Sequence, residues 1–132
     1  MKEKHMRFGD FTRKKRLAAP QERTMQDVAD HLGISLSYVS AVESCNKRPF
    51  DGERLERLAK YYDLSEEDTA LMFDIAGREN NEVPYDIEDI FLYEEIGELV
   101  RYALRLSKSG TILEEDWKKF IRTMEDRQEL KN

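Results

Sequence analysis

The side chains with most to offer chemically lie between Thr24 and Glu43, TMQDVADHLGISLSYVSAVE. On a helical wheel begun at Leu36, the residues Ser37, Ser40, Ala41 and Ser44 share one half. Tyr38, Val39, Val42 and Glu43 fall on the other half. A hydroxyl both donates and accepts hydrogen bonds. Leu36 and Ala41 are apolar enough to meet a thymine methyl group. Such a face suits contact with the edges of base pairs. The bland alternative is a helical hairpin whose small outer face is merely solvated.

Catalytic chemistry has little support. His5 lies in the N-terminal tail, and His31 falls on the outer face of its helix, where it is a phosphate neighbour or a solvated residue. No Cys and His residues stand at metal-ligand spacing, so no metal is expected. The six glycines are dispersed and form no phosphate-binding loop, and no cofactor is expected. Glu66–Glu67 and Glu94–Glu95 are adjacent pairs, which point in different directions on a helix. Cys45 has Lys47 and Arg48 nearby, which would favour a thiolate and a redox switch. A lone cysteine that is simply tolerated is the plain reading.

The serine face needs elements that hold it out. Thr24 is a good N-cap for a short amphipathic helix with Met25, Val28, Ala29 and Leu32 on one side. Gly33 stands where that helix must end in a left-handed turn. Ile34 is placed to plug the corner, and Ser35 caps the next helix, which runs to about Ser44. Val39 and Val42 form its inner face. Ala29 is small enough to let the two helices cross closely. The unit predicted is a rigid corner whose second helix enters the major groove of DNA.

At these residues the chain resembles the phage-repressor-type, or Cro/xenobiotic-response-element, helix-turn-helix family. The matching segments are FTRKKRL, DVADHLGIS, SYVSAVE followed by NKRPF, and LERLAKYYDL, within about residues 8 to 77. The resemblance implies an all-α, five-helix repressor-like DNA-binding domain, and members that are mostly transcriptional regulators. It implies base-facing roles for Leu36, Ser37, Ser40 and Ala41. Thr24, Gln26, Ser35, Tyr38, Asn46, Lys47 and Arg48 are expected to contact phosphates. It also implies a structural pair between Arg16 in the first helix and Glu43; the bland alternative leaves Arg16 in the solvated run RKKR. Two positions depart from the family. Cys45 stands where glycine is usual, and Asn46 is expected to take up the left-handed turn. The base-reading positions lack Gln, Arg and Asn, so two-pronged readout from this helix is not expected. Arg48, or an N-terminal arm of Lys2, Lys4 and Arg7, would be the alternative reader.

The 132 residues fit one domain with an extension. The segment MKEKHMRF has no apolar run, no stretch approaches a membrane span, and one cysteine forms no internal disulfide, which together predict a cytoplasmic protein. The net charge of −6 is segregated. Residues 1–60 carry 13 Lys and Arg against 9 Asp and Glu, a balance of +4, whereas residues 61–132 carry 9 against 19, a balance of −10. A basic half can approach phosphates. An acidic half is better suited to meet protein.

Helical patterns continue to the end. The first helix is expected over Phe8–Ala18, stopped by Pro20, the fourth over Gly52–Tyr62, and the fifth from Ser65 to Ala76, ended by Gly77. Residues 78–84 are polar with a proline and read as a linker. Asp86 is expected to cap one long helix with Ile87, Ile90, Phe91, Ile96, Leu99, Val100, Ala103 and Leu104 as its apolar positions. After a turn at 108–110, Thr111 and Glu114 read as a capping box for a last helix bearing Trp117, Phe120, Ile121 and Met124. The expected division is therefore residues 1–77 as the DNA-binding domain, 78–84 as linker and 85–132 as a C-terminal helical hairpin extension. That extension packs on its own domain, forms a homodimer, or binds a partner protein. The function expected is a sequence-specific regulator acting on double-stranded DNA, a repressor of its own or a neighbouring promoter, and not an enzyme. The alternative is an antitoxin-like module whose C-terminal half binds a partner protein.

Overall fold

A computed structural model describes residues 6–18 and 20–131, and these are all-helical or irregular. The elements are α1 (Phe8–Arg16), α2 (Met25–Leu32), α3 (Leu36–Glu43), α4 (Gly52–Tyr61), α5 (Glu66–Asn80), a 3₁₀ turn (Tyr85–Ile87), α6 (Glu88–Leu92), α7 (Glu95–Lys108) and α8 (Glu114–Lys131). The chain divides into two compact units, residues 1–88 and 89–132. Lys2, Lys4 and His5 lie outside the described residues. No helix among the described residues is long and apolar enough to cross a membrane.

Every buried apolar side chain among the described residues belongs to the first unit, between Phe8 and Ala76. Phe8, Val28, Val39, Val42, Leu58 and Ile75 bring α1 to α5 onto one core. Each apolar side chain taken from water there contributes roughly 1.5–3 kcal/mol, the main force that closes the unit. Ala29 is fully buried, which lets α2 and α3 approach. Serine and aspartate set the starts of the helices. Ser35 accepts from the Tyr38 N–H, Asp51 from Arg54 and Ser65 from Asp68. The cap at Asp51 is not among the features the sequence pattern brings out.

The structure departs from expectation at several helix ends. α1 stops at Arg16, two residues before Ala18. Gly77 does not end α5 but lies buried inside it, and the helix runs on to Asn80 with Asn81 in the left-handed conformation at φ 54°. A Cβ on Gly77 would sit 2.9 Å from the Glu82 carbonyl oxygen, so this glycine is there for a close approach and not for a turn. The expected linker 78–84 is thus helix followed by a turn folded back on α5, and the unit boundary falls after Glu88.

The long sixth helix expected from Asp86 is divided. Asp86 lies within the 3₁₀ turn, and the backbone breaks at Glu94, which is extended at φ −92°, ψ 154°. The break lets the end of α6 approach α7 at Gly97, where a Cβ would collide with the Ile90 carbonyl oxygen. The Arg101 guanidinium donates to the freed Phe91 carbonyl. Thr111 and Glu114 do not form a capping box. The Asp116 carboxylate accepts from the Leu113 N–H at 2.8 Å instead, and Thr111 donates its N–H to the Leu106 carbonyl. The negative charge is also placed differently. Residues 61–88 hold nine acidic groups and one basic group, a balance of −8, whereas residues 89–132 are near neutral at −2. The acidic stretch belongs to the first unit, not to the hairpin.

Candidate nucleic-acid interface

The corner made by α2 and α3 is closed by backbone geometry. Gly33 is left-handed at φ 68°, and the Gly33 and Ile34 N–H groups donate to the Asp30 and Ala29 carbonyls, the two bonds that end a helix in this way. Thr24 starts α2 with a reciprocal box. Its hydroxyl accepts from the Asp27 N–H at 3.0 Å, and its own N–H donates to the Asp27 carboxylate at 2.9 Å. The hydrogen bond from the Thr24 N–H holds the Asp27 carboxyl below its ordinary pKa. Sequence reasoning missed Asp27, although the T-x-x-D spacing carried the signal. Gln26 donates to Asp30 at 2.8 Å.

Beneath α3 lies an ion pair. Arg16 Nε donates to Glu43 Oε2 at 2.7 Å and Arg16 Nη2 to Oε1 at 2.9 Å, a two-pronged contact between two residues that are each only 8% exposed. Arg16 Nη1 also donates to the Arg23 carbonyl at 2.8 Å, which ties the loop before α2 to the same arginine. The hydrogen bond to Glu43 raises the Arg16 pKa above its ordinary value. A fork of donors meeting a carboxylate fixes direction as well as distance. The pair therefore sets the rotation of α3 about its own axis.

The opposite side of α3 is open. Leu36 is 43% exposed, Ser37 and Ser40 are exposed, and Ala41 is half-buried. The Ser35 and Ser37 hydroxyls lie 3.2 Å apart. Ser44 is turned back on the helix, donating to the Ser40 carbonyl at 2.9 Å and accepting from Asn46 at 3.1 Å. Tyr38 is not a free surface group. Its half-buried ring packs on Phe50, with centroids 5.7 Å apart, and Lys47 Nζ lies 4.4 Å from its centre.

The end of α3 corrects one expectation. Cys45, not Asn46, takes the left-handed conformation, at φ 63°. The Cys45 N–H donates to the Val42 carbonyl and the Asn46 N–H to the Ala41 carbonyl at 2.9 Å, so the Cys45 position must turn. Just beyond it, Asn46, Lys47 and Arg48 are exposed, and with Arg7, Cys45 and Pro49 they surround an open depression. Glu79 of α5 reaches the same place, accepting from the Phe8 N–H at 2.6 Å and pairing with Arg7 at 3.3 Å. This long-range cap on α1 has no local sequence signal.

The named residues thus form three groups. Leu36, Ser37, Ser40 and Ala41 line the outer face of α3. Asn46, Lys47 and Arg48 stand at its C-terminal end, and Thr24 and Gln26 at the start of α2. Ser35 and Tyr38 serve the local structure as cap and platform. Among known families, the helix-turn-helix family matches residues 13–68. Neither the curated proteins nor the solved structures give a significant match to the chain. Residues 13–68 therefore form a helix-turn-helix domain of the Cro/C1 type, the DNA-binding domain of phage-repressor-type transcriptional regulators.

Proposed function

We propose that the chain is a sequence-specific regulator that acts as a repressor of its own or a neighbouring promoter, in the cytoplasm and without catalysis, and that two copies bind a palindromic operator. The observation that carries this reading is the asymmetry of α3. Its inner side is locked by Arg16 and Glu43, while Leu36, Ser37 and Ser40 face solvent without serving the core. In this reading Leu36, Ser37, Ser40 and Ala41 meet base edges in the major groove. Asn46, Lys47 and Arg48 position the helix by phosphate contacts, which carry no sequence information themselves. Lys47 is held over the Tyr38 ring, so its ammonium is partly oriented before DNA arrives. The start of α2 contributes less. The Asp27 carboxylate already answers one of its N–H groups, and a negative charge there opposes a phosphate.

Titration of specific and random duplexes at several salt concentrations tests the assignment. Lys47→Ala and Arg48→Ala should each weaken both complexes alike and lower the salt slope by about one unit for each phosphate interaction removed. A loss confined to the specific duplex, with the slope unchanged, would overturn the positioning role. Repression itself is read from a reporter under the promoter recovered by selecting bound genomic fragments. Unchanged or raised expression in the presence of the protein would sink it.

A further inference from the structure

Among residues 89–131 only Gly97 is buried, so this unit has almost no core of its own. A helical pair of about 40 residues does not bury enough apolar surface to stand alone. Along α7, Leu99 is 65% and Tyr102 62% exposed, and with half-buried Leu106 they are spaced i, i+3, i+7. That spacing makes a narrow apolar seam of the kind two helices share. α8 lies to one side of the seam, where Trp117 Nε1 donates to Ser107 Oγ at 2.9 Å. The other side of the seam carries Glu98 and Arg105, seven residues apart and therefore on one flank.

The charges of α7 are sorted along its length. Glu94 precedes the helix, Glu95 and Glu98 stand in its first turn, Arg101 at its middle, and Arg105 and Lys108 in its last turn. Arg101 and Arg105 are like charges at i, i+4, which repel within one helix. None of these six side chains is in an ion pair among the described residues, whereas α8 pairs Lys118 with Glu114 and Glu115. The sorting suits the helix dipole at the two ends. It gives no reason for Glu98 and Arg105 to border the seam at the same flank.

We infer that α7 is the face on which a second copy of this chain docks, antiparallel, with Glu98 of each copy against Arg105 of the other. An antiparallel pair about a twofold axis sets one flank against the same flank of its mate, so an acid-first, base-last helix is complementary to itself. A parallel pair would set this flank against the opposite one, which carries Ile96 and Ala103, and would leave the charges of Glu98 and Arg105 unanswered. Leu99, Tyr102 and Leu106 supply the apolar seam. This deepens the two-copy reading above by naming the surface, and it is measured without DNA.

Sedimentation of the full chain across micromolar concentrations is the test. The wild type should be a dimer. Glu98→Arg or Arg105→Glu alone should raise the dimer dissociation constant by about tenfold or more, because two symmetry-related attractions become repulsions. The double exchange Glu98→Arg with Arg105→Glu should restore the wild-type value, and the two single variants should pair when mixed. Circular dichroism of each variant checks that the helices persist. A monomeric wild type would overturn the proposal, whether α7 then packs on its own chain or awaits an unlike protein. So would single variants that dimerise as the wild type does. DNA binding by a monomer would leave the regulator reading standing while the docking surface fell.

Discussion

Arg16 and Glu43 are buried and joined by two hydrogen bonds, so removing one partner strands the other's charge out of water. Arg16→Ala is expected to cost about 3–5 kcal/mol in a denaturant titration, whereas an exposed pair would give under ~1. Replacing both, Arg16→Met with Glu43→Leu, should recover most of the loss, since no charge is then left unpaired. A small shift for Arg16→Ala alone would mean that water screens the pair. Cys45 is the converse case. A side chain with a Cβ at φ 63° is strained by roughly 1–2 kcal/mol. Cys45→Gly removes that strain, partly offset by the extra conformational entropy that glycine gives the unfolded chain. It should stabilise the protein by about 1 kcal/mol, a rise in melting temperature of several degrees. An unchanged or lower melting temperature would show that contacts of the Cys45 side chain outweigh the backbone strain.

The helices that carry these residues are legible in the sequence where their limits are local. Thr24, Ser35 and Ser65 cap α2, α3 and α5, and Gly33 turns the corner, because a cap or a left-handed turn is decided within a few residues. The failures are those where a distant backbone decides. Gly77 resembles a helix stop, but its missing side chain makes room for Glu82 and Pro84. The break at Glu94 depends on the carbonyls of Ile90 and Phe91 reaching Gly97, which apolar periodicity does not register. Glu79 capping α1 from α5 is likewise invisible in sequence. Of the proposed recognition surface, the outer face of α3 follows from the wheel, but the Tyr38 platform under Lys47 does not. Gly9 offers a test of how elements constrain one another. A Cβ there would lie 2.5 Å from the Val42 and 2.6 Å from the Glu43 carbonyl oxygens, so α1 crosses the end of α3 by glycine alone. Gly9→Ala must push backbone apart, and about 1–3 kcal/mol of destabilisation is expected. Because α3 tilts, specific DNA binding should weaken more than random binding does. Wild-type melting and binding would show that the crossing relaxes at little cost.

Taken whole, the protein is a net-acidic DNA binder with its positive charge confined. Residues 1–60 balance to +4 and residues 61–88 to −8 within the same unit, so only a limited face can approach phosphates. Affinity from counterion release should be correspondingly modest. In the proposed docking, specificity then comes from the groove, where none of Leu36, Ser37 and Ala41 can make a two-pronged bond to guanine or adenine. What these side chains can do is touch thymine methyl groups, bond singly through Ser37, and follow the shape of the duplex. The operator is therefore expected to hold thymines in both contacted half-sites. If two copies bind, the half-site centres should stand one helical turn, ~34–36 Å, apart. Replacing a contacted thymine by uracil removes the methyl group and leaves pairing intact. Each such replacement should weaken binding measurably in a competition titration, at the positions facing Leu36 and Ala41 and not at flanking ones. Silence at every thymine, with binding abolished by changes at guanine, would move the readout off α3 to an arginine such as Arg48 or Arg7.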